Sequence, residues 1–136
     1  MSSYEESKDN AQFDILIANP PYSVNSFKST IKYGEESFEL FEKLTDNSSE
    51  IECLFIERMK QLLKIGGYAG IILPSSILTN TGIYTTTREI LLKYFKIIAI
   101  TGLTNEKIEN LSNFGFDYLI YKPYSIYDLN KILGVV

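Results

Sequence analysis

A short apolar run that breaks off at two prolines constrains this chain more than any other feature. Phe13 to Ala18 reads FDILIA and is followed at once by Asn19-Pro20-Pro21. Such a run reads as a strand buried on both faces of a parallel sheet. Proline lacks a backbone N–H and cannot extend a central ladder, so the pair forces the chain out of the sheet. The stiff loop that results lies at the carboxyl end of the strand. In open α/β sheets, that is where ligands sit.

The rest of the pattern alternates helix and strand. Residues 23–46 mix Ser, Lys, Glu and Phe without clean periodicity and are expected to form a loop with a short helix near Ser37 to Leu44. Asn47-Ser48-Ser49-Glu50 has the spacing of a helix cap, with Glu three residues after Asn. Leu54, Phe55, Ile56, Met59, Leu62 and Leu63 then recur at helical spacing, and Gly66-Gly67 is expected to end the helix. Tyr68 to Leu73 predicts a second buried strand, closed by Pro74. Ser75 to Tyr84 predicts a polar loop containing Asn80 and Gly82. Thr86-Thr87-Arg88-Glu89 predicts a second capping box, opening a helix that runs to Phe95. A third strand is expected over Ile97 to Ile100, followed by a helix over Asn105 to Leu111, a strand over Phe116 to Tyr121 and a helix over Ser125 to Leu133. Alternation of this kind argues for an α/β layered sheet with right-handed crossovers. Residues 1–12 read as a flexible lead-in and residues 13–136 as a single α/β domain.

Composition narrows the chemistry. The chain has 136 residues, 45% hydrophobic and 22% charged, the balance of one soluble domain. No apolar run approaches the roughly 20 residues that a membrane-spanning helix needs. Met1 to Asn10 is polar and acidic, unlike a secretory signal. The one cysteine, Cys53, excludes an internal disulfide and fits a reducing cytoplasm. Its apolar, helical surroundings predict a buried structural thiol. The sequence contains no histidine, which removes Ser-His-Asp and Cys-His catalysis and argues against a zinc site or any metal. The net charge of −4 has the wrong sign for gripping phosphates unaided.

Asn19-Pro20-Pro21-Tyr22 suits one reaction in particular. The exocyclic amine N6 of adenine is a poor nucleophile because its lone pair is delocalised into the ring. Two acceptors set against its N–H bonds favour a pyramidal nitrogen and free that pair to attack a sulfonium methyl. The Asn19 side-chain oxygen and the Pro20 carbonyl are candidates for the acceptors, held in place by the stiff prolines. Tyr22 offers an aromatic face to a base flipped from the duplex. The plainer reading is a strand that ends at a turn, since Asn and Pro are common there.

The stretch FDILIANPPYS, with LTDNSSEIECLFIERMKQLLKIGGYAGIILPSSILTNTGIYTTTREILLKYFKIIAI after it, closely resembles the modification subunits of type I restriction–modification systems. It resembles the corresponding segment of fused restriction–methylation enzymes as well. The resemblance covers residues 13 to about 100. It implies a partial Rossmann-like S-adenosylmethionine-dependent methyltransferase sheet, three-layered with mostly parallel strands. The activity it implies is site-specific DNA adenine N6-methylation, with Asn19, Pro20, Pro21 and Tyr22 on the catalytic loop. S-adenosylmethionine is the implied cofactor, and the implied partners are DNA and a specificity subunit or the remainder of the methyltransferase. In that family the donor site lies upstream of the catalytic strand, in a glycine-rich turn and an acidic strand end. Only twelve residues precede Phe13 and none is glycine. The expectation is therefore a catalytic-loop segment with an incomplete donor site, inert alone and prone to self-association through an unpaired sheet edge.

After about residue 100 the pattern departs from that family. The tail from Thr101 through Lys122-Pro123 is similar to the last third of a response-regulator receiver domain. The acceptor aspartate and acidic pair of a receiver are missing, so Thr101 and Lys122 are read as a strand end and a solvated charge. Phe114 or Phe116 is a candidate for packing on the flipped base, and Asn80 for lining the DNA side, with a core role the plainer reading for the phenylalanines. Lys28, Lys32, Lys43, Lys60 and Lys64 are interspersed with Glu35, Glu36, Glu39, Glu42 and Glu57, so a solvated face is expected there rather than a phosphate grip. Two other functions stay open at this point. One is methylation of a protein glutamine amide, because release-factor glutamine methyltransferases also use Asn-Pro-Pro-Tyr. The other is a non-catalytic folding or interaction module.

Overall fold

The computed structural model describes residues 13–101, 115–121 and 125–134. The chain divides into two compact units, Met1–Ile90 and Leu91–Val136. Each holds one parallel two-stranded sheet.

In the first unit β1 (Phe13–Ala18) pairs with β2 (Leu63–Ile71). Ile15 lies opposite Tyr68, Leu16 opposite Ala69, Ile17 opposite Gly70 and Ala18 opposite Ile71. One further bond, from Ile72 N–H to the Ala18 carbonyl at 3.1 Å, carries the ladder past the strand end. Between the strands run a 3-10 turn (Phe27–Thr30), the single helical turn α1 (Gly34–Ser37), a second 3-10 turn (Glu39–Lys43) and helix α2 (Ile51–Leu62). After β2 come the short α3 (Ser76–Thr79) and α4 (Ile83–Tyr94), whose last turn crosses into the second unit.

Helix α2 is the centre of the first unit's core. Cys53, Leu54, Ile56 and Met59 are buried on it, together with Phe27, Leu40, Phe41 and Leu44 from the segment before it and Ile77, Ile83, Tyr84 and Ile90 from the segment after it. The same helix buries Glu52, Glu57 and Gln61, polar groups that persist in a core only when hydrogen-bonded.

The second unit pairs β3 (Ile98–Thr101) with β4 (Tyr118–Tyr121) in parallel and ends with α5 (Ile126–Leu133). Asp117 and Ile97 start the pairing. The Asp117 N–H donates to the Ile97 carbonyl at 3.0 Å, and the Asp117 carboxylate accepts from the Ile97 N–H at 2.6 Å. Ser125 caps α5 in a reciprocal box with Asp128, and those bonds hold the Asp128 carboxyl below its ordinary range.

The architecture is mixed α/β with parallel strands, as the alternation predicts. Several details differ. The prediction of a strand buried on both faces fails: Ile15 is 64% and Ile17 85% exposed. Among the described residues β2 is the one strand beside β1, and a pair of strands gives helices too little surface to cover. The helix expected to reach Gly66-Gly67 stops at Leu62, where Leu63 turns extended and donates to the Met59 carbonyl. Lys64 to Gly67 then bulge opposite Asp14, so Tyr68 opens the regular register. Gly66 sits at φ +83°, and a Cβ on Gly67 would lie 2.9 Å from the Asp14 carbonyl oxygen. The glycine pair thus shapes the bulge and does not end the helix. Asn47 is no cap either, because α2 starts after Glu50 without a side-chain cap bond. Thr86 to Glu89 lie inside α4, whose first turn forms earlier, after Gly82 at φ +70°. The expected loop over Ser75 to Tyr84 contains α3 and the start of α4. The helix expected over Asn105 to Leu111 lies outside the described residues.

Two expectations follow for stability and assembly. A Cβ on Gly34 would overlap the ring of Phe41, itself buried and unable to swing aside freely. Overpacking outweighs the gain in helix propensity, so Gly34→Ala should destabilise by ~1–3 kcal/mol in urea unfolding. Phe13, Ile15, Ile17, Ile65 and Tyr68 stand exposed on β1 and β2, enough apolar surface, beside strand edges unpaired among the described residues, to drive association. Sedimentation velocity should show concentration-dependent self-association that Ile15→Lys with Ile17→Lys reduces. A wild-type chain that stays monomeric across the accessible concentrations would refute this.

Candidate active site

Asn19 follows the carboxyl end of β1 directly. It is exposed, Pro20 behind it is buried, and Pro21 is exposed. Among the described residues the Asn19 carboxamide makes no hydrogen bond, and the side chain is open to an incoming ligand. Tyr22 turns back to the neighbouring strand, where its hydroxyl donates to the Ile72 carbonyl at 2.7 Å. That bond ties the end of the loop to the first residue beyond β2 while leaving Tyr22 38% exposed. Ser23 then takes a left-handed conformation, φ 54°, which redirects the chain at a conformational cost for a residue with a Cβ.

Side chains of α2 hold the segment that follows. The Glu57 carboxylate accepts from the N–H groups of Glu39 and Leu40, both at 2.9 Å. Gln61, one turn later, donates to the Ser37 carbonyl at 2.7 Å and to Glu57 at 3.4 Å. Burial raises the Glu57 carboxyl above its usual range. The two N–H bonds and Lys60 oppose that shift, and Glu39 adds to it. Lys28 donates to the Leu44 carbonyl at 2.9 Å with its ammonium 5.2 Å from the Phe41 ring centre.

A second network lies under the segment after β2. The Tyr84 hydroxyl donates to Glu52 Oε1 at 2.7 Å and accepts from Ser76 at 3.5 Å. Burial pushes the Tyr84 phenol well above its ordinary value, and Glu52 adds to the shift. Glu52 Oε2 is buried without a hydrogen-bond partner. Arg88 donates from Nη1 to the carbonyls of Ile77 and Asn80, at 2.9 and 2.8 Å.

Because β1 and β2 are parallel, the loops that carry Asn19 to Tyr22 and Asn80 leave the same end of the sheet. Asn80 is exposed, and its Oδ1 accepts from the Thr79 hydroxyl at 3.4 Å. Phe114 and Lys122 lie outside the described residues. Phe116 is half-buried, and Thr101 ends β3. Cys53 is fully buried, and burial pushes its thiol up to about 12, which suits a structural role and no nucleophile. Of the residues read as a solvated face, Glu57 is a correction: it is wholly buried, because backbone N–H groups reward the carboxylate inside. Lys28 and Lys64 are engaged, the latter with Asp14 at 3.5 Å on the surface. Sequence reasoning also missed the Glu52–Tyr84 pair and Arg88. The one available signal was a carboxylate on the apolar side of a helix, at Glu52 and Glu57.

No glycine-rich turn at the carboxyl end of a strand, of the kind the methyl-donor site would need, occurs among the described residues. Gly66, Gly67 and Gly70 lie within β2. These residues therefore do not fit a donor cradle. No helix among them is long and apolar enough to cross a membrane.

Comparison with known proteins gives two findings. The model of the Eco57I restriction-modification methylase family matches residues 2–108. The type II restriction enzyme and methyltransferase RM.Eco57I of Escherichia coli is 37% identical over 67 residues, which are 48% of this chain and 7% of that protein. The matched part is thus a small fraction of that relative's length. No solved structure matches the chain.

Glu57 gives this region a pH signature. With its carboxyl raised on folding, the native state holds more protons than the unfolded one between the ordinary carboxyl range and the raised value. The stability it contributes is therefore full at acid pH and is lost as pH rises through that window. Denaturant unfolding should show the wild-type advantage over Glu57→Gln shrinking with rising pH. An advantage that grows with pH would mean that the backbone N–H bonds outweigh burial.

Proposed function

This chain belongs to the Eco57I restriction-modification methylase family, and we propose that it carries the catalytic loop of a DNA adenine N6-methyltransferase. The observation behind the proposal is the state of Asn19-Pro20-Pro21-Tyr22. An exposed, unengaged carboxamide stands at the carboxyl end of a parallel strand, backed by a buried proline and closed by a tethered tyrosine. Relatedness to a restriction enzyme and methyltransferase supports a methyltransferase role and DNA as the substrate.

In this reading Asn19 Oδ1 and the Pro20 carbonyl accept hydrogen bonds from the two N–H groups of the target amine. Those bonds hold the nitrogen pyramidal, with its lone pair aimed away from the ring. Pre-positioned acceptors of this kind act most strongly where water is excluded. The exposed ring of Tyr22 stacks on the flipped base, while its hydroxyl bond to Ile72 keeps the ring from rotating away. S-adenosylmethionine supplies the methyl group when bound, and the residues that hold it are proposed to come from the donor-binding portion of the complete enzyme. Net charge of −4 agrees with most of the DNA grip lying elsewhere.

The test is methyl transfer by the complete enzyme with tritiated S-adenosylmethionine on duplex DNA, followed by nucleoside analysis. Label should appear on adenine N6, and Asn19→Ala should lower the rate by roughly a hundredfold or more while leaving unfolding unchanged. Label on a release-factor glutamine instead, or an undiminished rate in the variant, would sink the proposal.

A further inference from the structure

The segment after β2 is held from outside itself. Of α3, Ile77 alone is buried, and one turn of helix leaves its last carbonyls without partners. Side chains of α4 supply the missing bonds. At one end Tyr84 joins Ser76 to Glu52. At the other, Arg88 spans two carbonyls three residues apart, Ile77 within α3 and Asn80 beyond it, while its Nη2 donates to the Thr85 hydroxyl at 3.3 Å. A charged, planar fork fixes such a pair more rigidly than a flexible ammonium does. Tyr84 and Arg88 are four residues apart, so they share one face of α4. The tip they hold, Thr79 to Gly82, is exposed, and apolar packing does not set its shape.

We propose that Arg88 is a positioning residue for nucleic acid. By clamping the Ile77 and Asn80 carbonyls it fixes the turn on the loop that leaves the same end of the parallel pair as Asn19–Tyr22, and so presents Asn80 to the DNA strand. This rests on the DNA reading above. Asn80 is suited to the task, with an exposed carboxamide that both donates and accepts. Arg88 itself spends its guanidinium on backbone carbonyls and acts through the turn.

The test uses the complete enzyme that carries this segment, with Arg88→Met and Arg88→Lys, and a fluorescently labelled duplex oligonucleotide at low salt. Amide exchange over residues 78–82 should accelerate in Arg88→Met, with α2 unchanged. Oligonucleotide affinity should fall by about tenfold, with the slope of affinity against salt preserved, because no phosphate contact is lost. Arg88→Lys should lie between the two, since it restores charge and one donor bond. Unchanged exchange would overturn the clamp. Faster exchange with unchanged affinity would reduce Arg88 to a helix cap and overturn the positioning role. A salt slope smaller by about one would make Arg88 a direct phosphate contact, again overturning it. No binding by the complete wild-type enzyme would defeat the DNA reading and this inference with it, whereas wild-type binding unaffected by Arg88→Met defeats the inference alone.

Discussion

Asn19 and Ile72 are neighbours because β1 and β2 run parallel with Ala18 opposite Ile71. Both chains therefore emerge at one end of the sheet. A slip of one residue would turn each side chain to the opposite face and would part Tyr22 from the Ile72 carbonyl it holds. Parallel strands need a long crossover, and here the crossover contains α2 with the core gathered around it. The same pairing thus dictates where the loop emerges and why a helix must lie between the strands.

Polar groups inside that core act as bolts. Glu57 and Gln61 take up backbone groups of residues 37–40, which have no regular ladder to satisfy them. Glu52 takes up Tyr84. A buried carboxylate is unfavourable unless hydrogen-bonded, so each bolt specifies one arrangement of its segment more sharply than apolar contact would. The segments so fixed are those that follow the two loops at the end of the sheet. The site therefore depends on α2, although α2 contributes no residue to it.

The bare sheet and the filled helical core belong to one picture. Apolar residues on β1 and β2 are exposed, while the core of the first unit gathers around α2. Relatedness to a far longer restriction enzyme and methyltransferase is consistent with strands whose faces are made to be covered.

Local rules made some of this legible. The strand at Phe13–Ala18, its exit through Pro20-Pro21 and the buried Cys53 each follow from covalent or short-range chemistry: an apolar run, a missing N–H, a thiol in an apolar stretch of helix. Periodicity also placed α2 and α4, though it misjudged their ends, because Leu63 becomes extended to join β2 and Gly82 starts α4 earlier than the Thr86 pattern implied. Sequence by itself thus determined the alternation of strands and longer helices, the stiff loop and the residue types available to it. Tertiary structure alone decided that Glu57 is buried, that Tyr22 is tied to Ile72 and that Arg88 clamps the turn of Asn80, because each partner is a backbone group brought close by folding and backbone groups carry no residue-specific mark in a sequence.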